Sequence, residues 1–152
     1  MEHHTITRAL TIAARPETVY EVITDPRHMT QWWPDQADME ARPGSEGSIT
    51  FGRATDPGSK VVPLTVIEAD PPRRFSFRWA YPAGTAPTSA NSFLVTFQLE
   101  PSDAGTRLTF TETGFTDQGM ASHDVEASYA DHGAAWDRFL PRLAAHAARV
   151  TS

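Results

Sequence analysis

The longest regular pattern in the sequence spans residues 122–150, which read SHDVEASYADHGAAWDRFLPRLAAHAARV. Apolar or small residues recur there at steps of three and four, at Val125, Tyr129, Gly133, Trp136, Leu140, Leu143, Ala147 and Val150. These steps are the period of one face of an α-helix. A helix this long, with a large indole at its middle, has to bury that face. The pattern therefore predicts a long C-terminal helix packed against the preceding part of the chain.

The preceding part alternates between apolar and polar residues in short runs separated by turns. A first strand is predicted over residues 5–12, and later runs lie at 37–41, 48–53, 61–68, 75–81, 91–100 and 106–113. Turns as short as these require antiparallel neighbours. One face of such a sheet carries large apolar side chains, and the other carries Thr, Ser, Arg and Gln.

Two short helices are predicted between the first and second strands. Pro16 suits the first position of a helix, and Asp25 is a good N-cap for a second helix that begins at Pro26. We expect this second helix to cover residues 26–33, because Pro34 ends it. The simplest arrangement is an α+β fold, in which a curved antiparallel sheet of about six to seven strands wraps around the C-terminal helix. The short helices would close one end, and Pro141 would kink the long helix.

Size, composition and charge predict one domain over residues 1–152. Hydrophobic residues make up 39% and charged residues 21%, which is ordinary for a globular protein. The sequence has no cysteine, which excludes disulfides and thiolate chemistry. The formal net charge is −6 and no basic cluster is present, so nucleic acid is not an expected partner. Without a signal peptide or a membrane-length apolar run, we expect a cytoplasmic protein with no membrane partner.

Five segments, taken in order, carry a family resemblance. They are PETVYEVITDP (16–26), QWWP (31–34), VIEADPPRRFSF (66–77), GTRLTFTETGF (105–115) and HGAAW (132–136). The chain resembles the START-like, or SRPBCC, superfamily, and within it the bacterial homologues of the C-terminal domain of the heat-shock-protein-90 ATPase activator. This resemblance implies a helix-grip fold. It also implies a cavity between the sheet and the C-terminal helix that holds an apolar small molecule.

Large aromatic side chains are the first candidates for a binding site. Trp32 and Trp33 either line a cavity mouth, with one indole toward solvent or a partner, or cap the end of the core. The rings on the apolar sheet face either fill the interior or leave a ligand-sized pocket, and the resemblance favours a pocket. The predicted ligand-binding residues are Trp32, Trp33, Phe51, Phe77, Trp79, Phe110, Glu112, His132, Trp136 and Leu140.

Glu112 and His132 are the candidate acid–base groups. Strand parity places Glu112 on the face of Leu108 and Phe110, hence inward, where a carboxylate could serve as a general acid or base. Alternatively, Glu112 lies at a strand end, where it reaches water or pairs with Arg53 or Arg78. His132 either hydrogen-bonds a ligand or borders a buried face.

No metal or organic cofactor is expected from the sequence. His28 and His123 have no partner at the spacing of metal ligands, and no nucleophile elbow or phosphate-binding loop is present.

Three functions remain open at this point. The first is a non-catalytic binder or carrier of an apolar or aromatic small molecule. The second is a cyclase/dehydratase-like enzyme that uses Glu112 and His132. The third is a chaperone-type protein-interaction module, which would need an exposed apolar patch. The oligomeric state is either monomer or homodimer.

Overall fold

The computed structural model describes residues 4–52, 60–82 and 84–150. Its helices and strands follow in the order β1 (Ile6–Ile12), α1 (Pro16–Thr24), α2 (Pro26–Met29), β2 (Gln36–Asp38), β3 (Glu46–Phe51), β4 (Lys60–Asp70), β5 (Arg74–Trp79), β6 (Phe93–Ser102), β7 (Gly105–Thr113) and α3 (Ser122–Val150). The predicted element order is confirmed, and the long helix has the predicted bounds.

The strands form one curved antiparallel sheet in the order β1-β7-β6-β5-β4-β3-β2. Each of the pairs β3–β4, β4–β5, β5–β6 and β6–β7 is formed by consecutive strands, as the short turns predict. The helices α1 and α2 separate β1 from β2, and β1 pairs with β7 instead. Therefore the first and last strands of the chain meet at one side of the sheet, where α3 also lies near β1.

α3 buries the predicted face against the sheet and α1. Six of the eight predicted positions are buried, while Tyr129 and Val150 are partly exposed. Burial of side chains such as Leu140 and Leu143 stabilises the fold by about 1.5–3 kcal/mol each. An ion pair joins the two elements at the surface, since Arg8 of β1 donates to Asp137 of α3 at 2.6 Å. The helix runs unbroken through Pro141.

The strands other than β2 begin and end within two residues of the predicted bounds, and larger differences occur in α2 and β2. α2 ends at Met29 rather than at residue 33, and residues up to Trp33 form hydrogen-bonded turns. Beyond Met29 the backbone bonds from Gln31 to His28 and from Trp32 to Met29 span three residues, which is the tighter turn common at helix ends. The second strand covers Gln36–Asp38 instead of 37–41, because it pairs with only three residues of β3. Residue 53 of the strand predicted at 48–53, and the turn expected after it, lie outside the described residues.

No helix in residues 4–52, 60–82 and 84–150 is long and apolar enough to cross a membrane.

Candidate functional site

The site is built around Glu112, a carboxylate on the inner face of β7. Its side chain is fully buried, with 0% of its surface exposed. Leu108 and Phe110 lie on the same face and are buried as well, so the strand parity places all three side chains inward. Glu112 lies opposite Ile6 of β1 and Val95 of β6, in the middle of hydrogen-bonded strands rather than at a free edge.

Three side chains from two other elements contact the Glu112 carboxylate. The indole N–H of Trp79, on β5, donates to Oε2 at 2.8 Å, and the indole N–H of Trp136, on α3, donates to Oε1 at 2.8 Å. Nδ1 of His132, one turn before Trp136 on α3, lies 2.9 Å from Oε1. The carboxylate therefore links the sheet to the long helix.

The chemistry of these partners determines the role of the carboxylate. An indole N–H can only donate, so both oxygens of Glu112 act as acceptors. His132 donates to Oε1 when its proton is on Nδ1, and Nε2 then carries the free lone pair. The His132 side chain is 22% exposed while Glu112 is at 0%, so of these two groups only the imidazole is in contact with solvent.

An aromatic cluster surrounds the two indoles that bind Glu112. We define it as Trp33, Phe51, Phe77, Trp79, Trp136 and Phe139. Trp33 is its centre, since its ring centroid lies 5.4 Å from that of Trp79 and 5.2 Å from that of Trp136. Such distances are typical of favourable aromatic pairs. The Trp33 ring contacts those of both Trp136 and Phe77, so rings from the sheet and from α3 meet in one space.

Two rings at the margin of the cluster bridge the sheet and the helix. Phe51, at the end of β3, and Phe139, on α3, have centroids 6.4 Å apart, and both are partly exposed. The guanidinium groups of Arg138 and Arg142 lie over the Phe139 ring, with Cζ 4.9 and 5.7 Å from the ring centroid. This Phe51–Phe139 pair is the outermost layer of the cluster between β3 and α3.

The remaining predicted residues lie in or beside the core. Phe110 contacts Trp136 with ring centroids 4.5 Å apart, and Leu140 is 1% exposed one turn further along α3. Trp32 is 2% exposed and donates its indole N–H to the carbonyl of Val22 in α1. It stacks on Trp33 and does not reach Glu112.

The structure bears on the alternatives left open for these side chains. Both Trp32 and Trp33 pack into the core, with 2% and 7% of their surface exposed, which agrees with the alternative that they cap the end of the core. Glu112 does not reach water, and Arg78 donates to Ser92 instead of Glu112. The alternative partner Arg53 lies outside the described residues.

His28, for which the sequence spacing indicates no partner, has one at close range in the structure. Its Nδ1 lies 3.0 Å from Nε2 of His146 on α3. The two residues are separated by 118 positions in the chain, so sequence spacing carried no signal of the contact. His123 lies beside the neighbouring Asp124, with Nε2 3.2 Å from Oδ1.

The family of the chain follows from a match over most of its length. Residues 13–148 match the family described as activator of Hsp90 ATPase homolog 1-like protein. This chain belongs to that family. Proteins with this SRPBCC-type fold commonly bind hydrophobic ligands. No curated protein matches the sequence.

Solved structures share the fold of this family member at low sequence identity. A protein from Mesorhizobium loti is 22% identical, with a TM-score of 0.75 over 95% of this chain and 97% of that one. A protein from Nitrosomonas europaea is 14% identical, with a TM-score of 0.76 over 96% and 95%. A protein of the dynemicin biosynthetic locus is 23% identical, with a TM-score of 0.72 over 95% of this chain and 47% of that one. These likenesses support the helix-grip fold.

Proposed function

We propose that the protein binds an apolar or aromatic small molecule between the sheet and α3, with Glu112 as its polar anchor. Ligand pockets are mostly apolar and contain a few placed polar groups that fix orientation. The aromatic cluster supplies the apolar surface, and Glu112 with His132 supplies the polar groups. The common ligand class of the fold supports the same proposal.

The single observation that carries the proposal is the complete burial of the Glu112 carboxylate. Withdrawing a carboxylate from water costs several kcal/mol even after relaxation, and replacing buried ionic groups by apolar ones is often neutral or stabilising. An apolar residue at this position would therefore make the core at least about as stable as Glu112 does. A carboxylate that two indoles and an imidazole hold in place is instead suited to orient a ligand with a hydrogen-bond donor.

Entry of the ligand requires a movement, and the energies indicate where it occurs. Separating the Phe51–Phe139 pair costs about 0.5–1.5 kcal/mol in addition to the free energy of exposing its apolar surface to water. Moving Trp136 would in addition break a hydrogen bond to a charged group, worth about 1.5–3 kcal/mol. The partly exposed Phe51–Phe139 pair therefore opens first. Because Trp33 is the ring next to Phe51 inside the cluster, it is the first ring that an entering ligand would contact.

The test combines native mass spectrometry with ligand titration. Protein purified without added ligand is examined for a co-purified small molecule, and a panel of aromatic compounds with and without a hydrogen-bond donor is titrated while tryptophan emission is followed. We expect saturable binding that favours donors and is weakened in Glu112→Gln. Val61→Ala, at an exposed position on β4, is the matched control and should bind like the wild type. Absence of both a co-purified mass and any saturable change in emission would overturn the proposal.

An acid–base enzyme is the second candidate, and the His132–Glu112 contact favours it. A carboxylate 2.9 Å from an imidazole nitrogen orients the ring and selects its tautomer, which leaves the other nitrogen for proton transfer. In such an enzyme His132 is the acid–base group and Glu112 positions it. His132→Asn would then abolish turnover of a bound ligand while leaving its affinity within a few-fold of the wild type. Equal loss of affinity and turnover would argue for a binder.

A protein-interaction role is less well supported by the surface. Among the described residues, Val61 and Ile67 are the exposed large hydrophobic side chains, at 65% and 45%. Both lie on β4, six residues and roughly 20 Å apart along the strand, so they do not form a continuous patch.

We further propose a cytoplasmic protein, monomeric or homodimeric, with neither nucleic acid nor membrane as a partner. The acidic net charge of −6 supports the exclusion of nucleic acid.

A further inference from the structure

A second group of polar side chains lies at the junction of α1 and α2, apart from the aromatic cluster. Glu21 lies in α1, Asp25 has extended backbone between the two helices, and His28 lies in α2. One carboxylate oxygen from each acid and one ring nitrogen of His28 all lie within 4.8 Å of one another. Glu21 is exposed, and the other two are partly exposed.

We propose that Glu21, Asp25 and His28 bind a divalent transition-metal ion of the zinc class. Imidazole and carboxylate together are ligands that suit Zn²⁺ and its first-row neighbours, whereas Ca²⁺ and Mg²⁺ prefer oxygen ligands alone. Ligand atoms about 2.0–2.2 Å from a tetrahedral zinc ion are roughly 3.4 Å from one another. The observed separations need only small side-chain adjustments to reach this value.

The contact between His28 and His146 is an independent observation in favour of the site. A metal-bound imidazole almost always donates its second ring N–H to an acceptor, which fixes its tautomer and orientation. His28 Nδ1 lies 3.0 Å from Nε2 of His146, so His146 can accept from His28 when the proton is on Nδ1, and the other ring nitrogen of His28 then has the lone pair with which to bind an ion.

Arg27 is the competitor that a metal ion has to displace in part. Its backbone N–H and its guanidinium donate to the Asp25 carboxylate at 2.9 and 2.8 Å. The Arg27 side chain is 87% exposed, and exposed ion pairs of this kind are worth only about 0–1 kcal/mol. A carboxylate also has about four lone-pair sites, so Asp25 can keep its helix-capping bond and still bind an ion.

Three protein ligands leave one tetrahedral position for water or another small ligand, as in catalytic rather than structural zinc sites. No metal was expected from the sequence, because no group of His, Asp and Glu has a convincing metal-site spacing; the three side chains come together only where α1 ends and α2 begins. The proposal concerns an exterior surface of α1 and α2 and does not depend on the ligand proposed for the aromatic cluster.

The experiment is a titration of tag-free, EDTA-treated protein with Co²⁺, followed by visible absorption, and then by competition with Zn²⁺. We expect one saturable ion per chain and loss of that signal in His28→Ala. Glu21→Gln, at an exposed position, should weaken binding without changing the melting temperature of the metal-free protein. His146→Leu should weaken binding about 10–100-fold, and His146→Gln, which keeps an acceptor, should restore most of the affinity.

His123→Gln is the matched control, since it removes an exposed histidine that also has a neighbouring carboxylate. This variant should bind Co²⁺ like the wild type. A wild-type protein that binds no Co²⁺ would overturn the proposal. So would unchanged binding in His28→Ala or in Glu21→Gln, because the ion would then lie elsewhere, for example at the adjacent His3 and His4.

Discussion

Replacement of Glu112 by glutamine tests the arrangement at the centre of the molecule. Glu112→Gln keeps the size and shape of the side chain but turns one acceptor oxygen into an NH₂ donor. If the remaining oxygen takes the place of Oε1, it still accepts from Trp136 and His132, and the NH₂ group faces the indole N–H of Trp79. Two donors then meet in a fully buried position, and one hydrogen bond is lost.

The expected cost follows from that single loss. A hydrogen bond to a charged group contributes about 1.5–3 kcal/mol net, after its desolvation is included. We therefore expect Glu112→Gln to lower the free energy of unfolding by about 2 kcal/mol. In a domain of this size, 1 kcal/mol lowers the melting temperature by about 2–4 °C, so the melting temperature should fall by roughly 4–8 °C.

The assay is urea unfolding followed by circular dichroism, together with the ¹H–¹⁵N spectrum of the indole groups. The indole N–H signals of Trp79 and Trp136 should move in Glu112→Gln, whereas that of Trp32 should not, because it is bonded to the carbonyl of Val22. Glu46→Gln, an exposed carboxylate on β3, is the control for the chemical change alone. Wild-type stability and unmoved indole signals in Glu112→Gln would refute the geometry described for this site.

Three further predictions concern other parts of the chain. Trp33→Ala should destabilise the protein by about 3–5 kcal/mol in urea unfolding, because it leaves a cavity at the centre of the aromatic cluster, and added indole should restore part of the loss. Gly105→Ala should cost more than about 1 kcal/mol in the same assay, since φ is +135° and the new Cβ would lie against the Ile12 carbonyl and 2.7 Å from the Ala14 nitrogen. Burial lowers the pKa of His146 below 6.5 in the folded protein, so the unfolded chain takes up a proton first as the pH falls. The free energy of unfolding should therefore decrease below pH 6.5. With EDTA present, this decrease should be smaller in His146→Gln than in the wild type.

The fold was largely predictable because its signals are local and periodic. The steps of three and four in residues 122–150 require only that one helix face be buried, and the structure buries Val125, Trp136 and Leu143 on that face. The sheet order follows in the same way from short turns, which leave consecutive strands little choice of partner. The boundary errors at α2 and β2 arose where short elements depend on tertiary pairing rather than on period.

The site was only partly predictable because its contacts cross between elements. Parity indicated that Glu112 points inward, but the parity of β7 contains no information on which donors face it from β5 and α3. Phe139 was missed because it lies off the regular stripe of the helix, although it is three residues after Trp136 and therefore a neighbour on the helix surface. The His28–His146 contact was missed because it joins residues from opposite ends of the chain.

Whether this interior is only a core or also a binding site depends on the balance between its rings and its carboxylate. The rings alone favour a closed core, since each aromatic contact adds about 0.5–1.5 kcal/mol to the burial of apolar area. Glu112 gives no comparable advantage in stability, because its hydrogen bonds mainly offset the cost of removing a charge from water. A ligand with one apolar ring and one donor would restore the ring packing that is broken when the Phe51–Phe139 pair opens, and it would gain a charge-assisted hydrogen bond that water cannot reach. For that reason the carboxylate, and not the number of aromatic rings, is the feature that favours binding over packing alone.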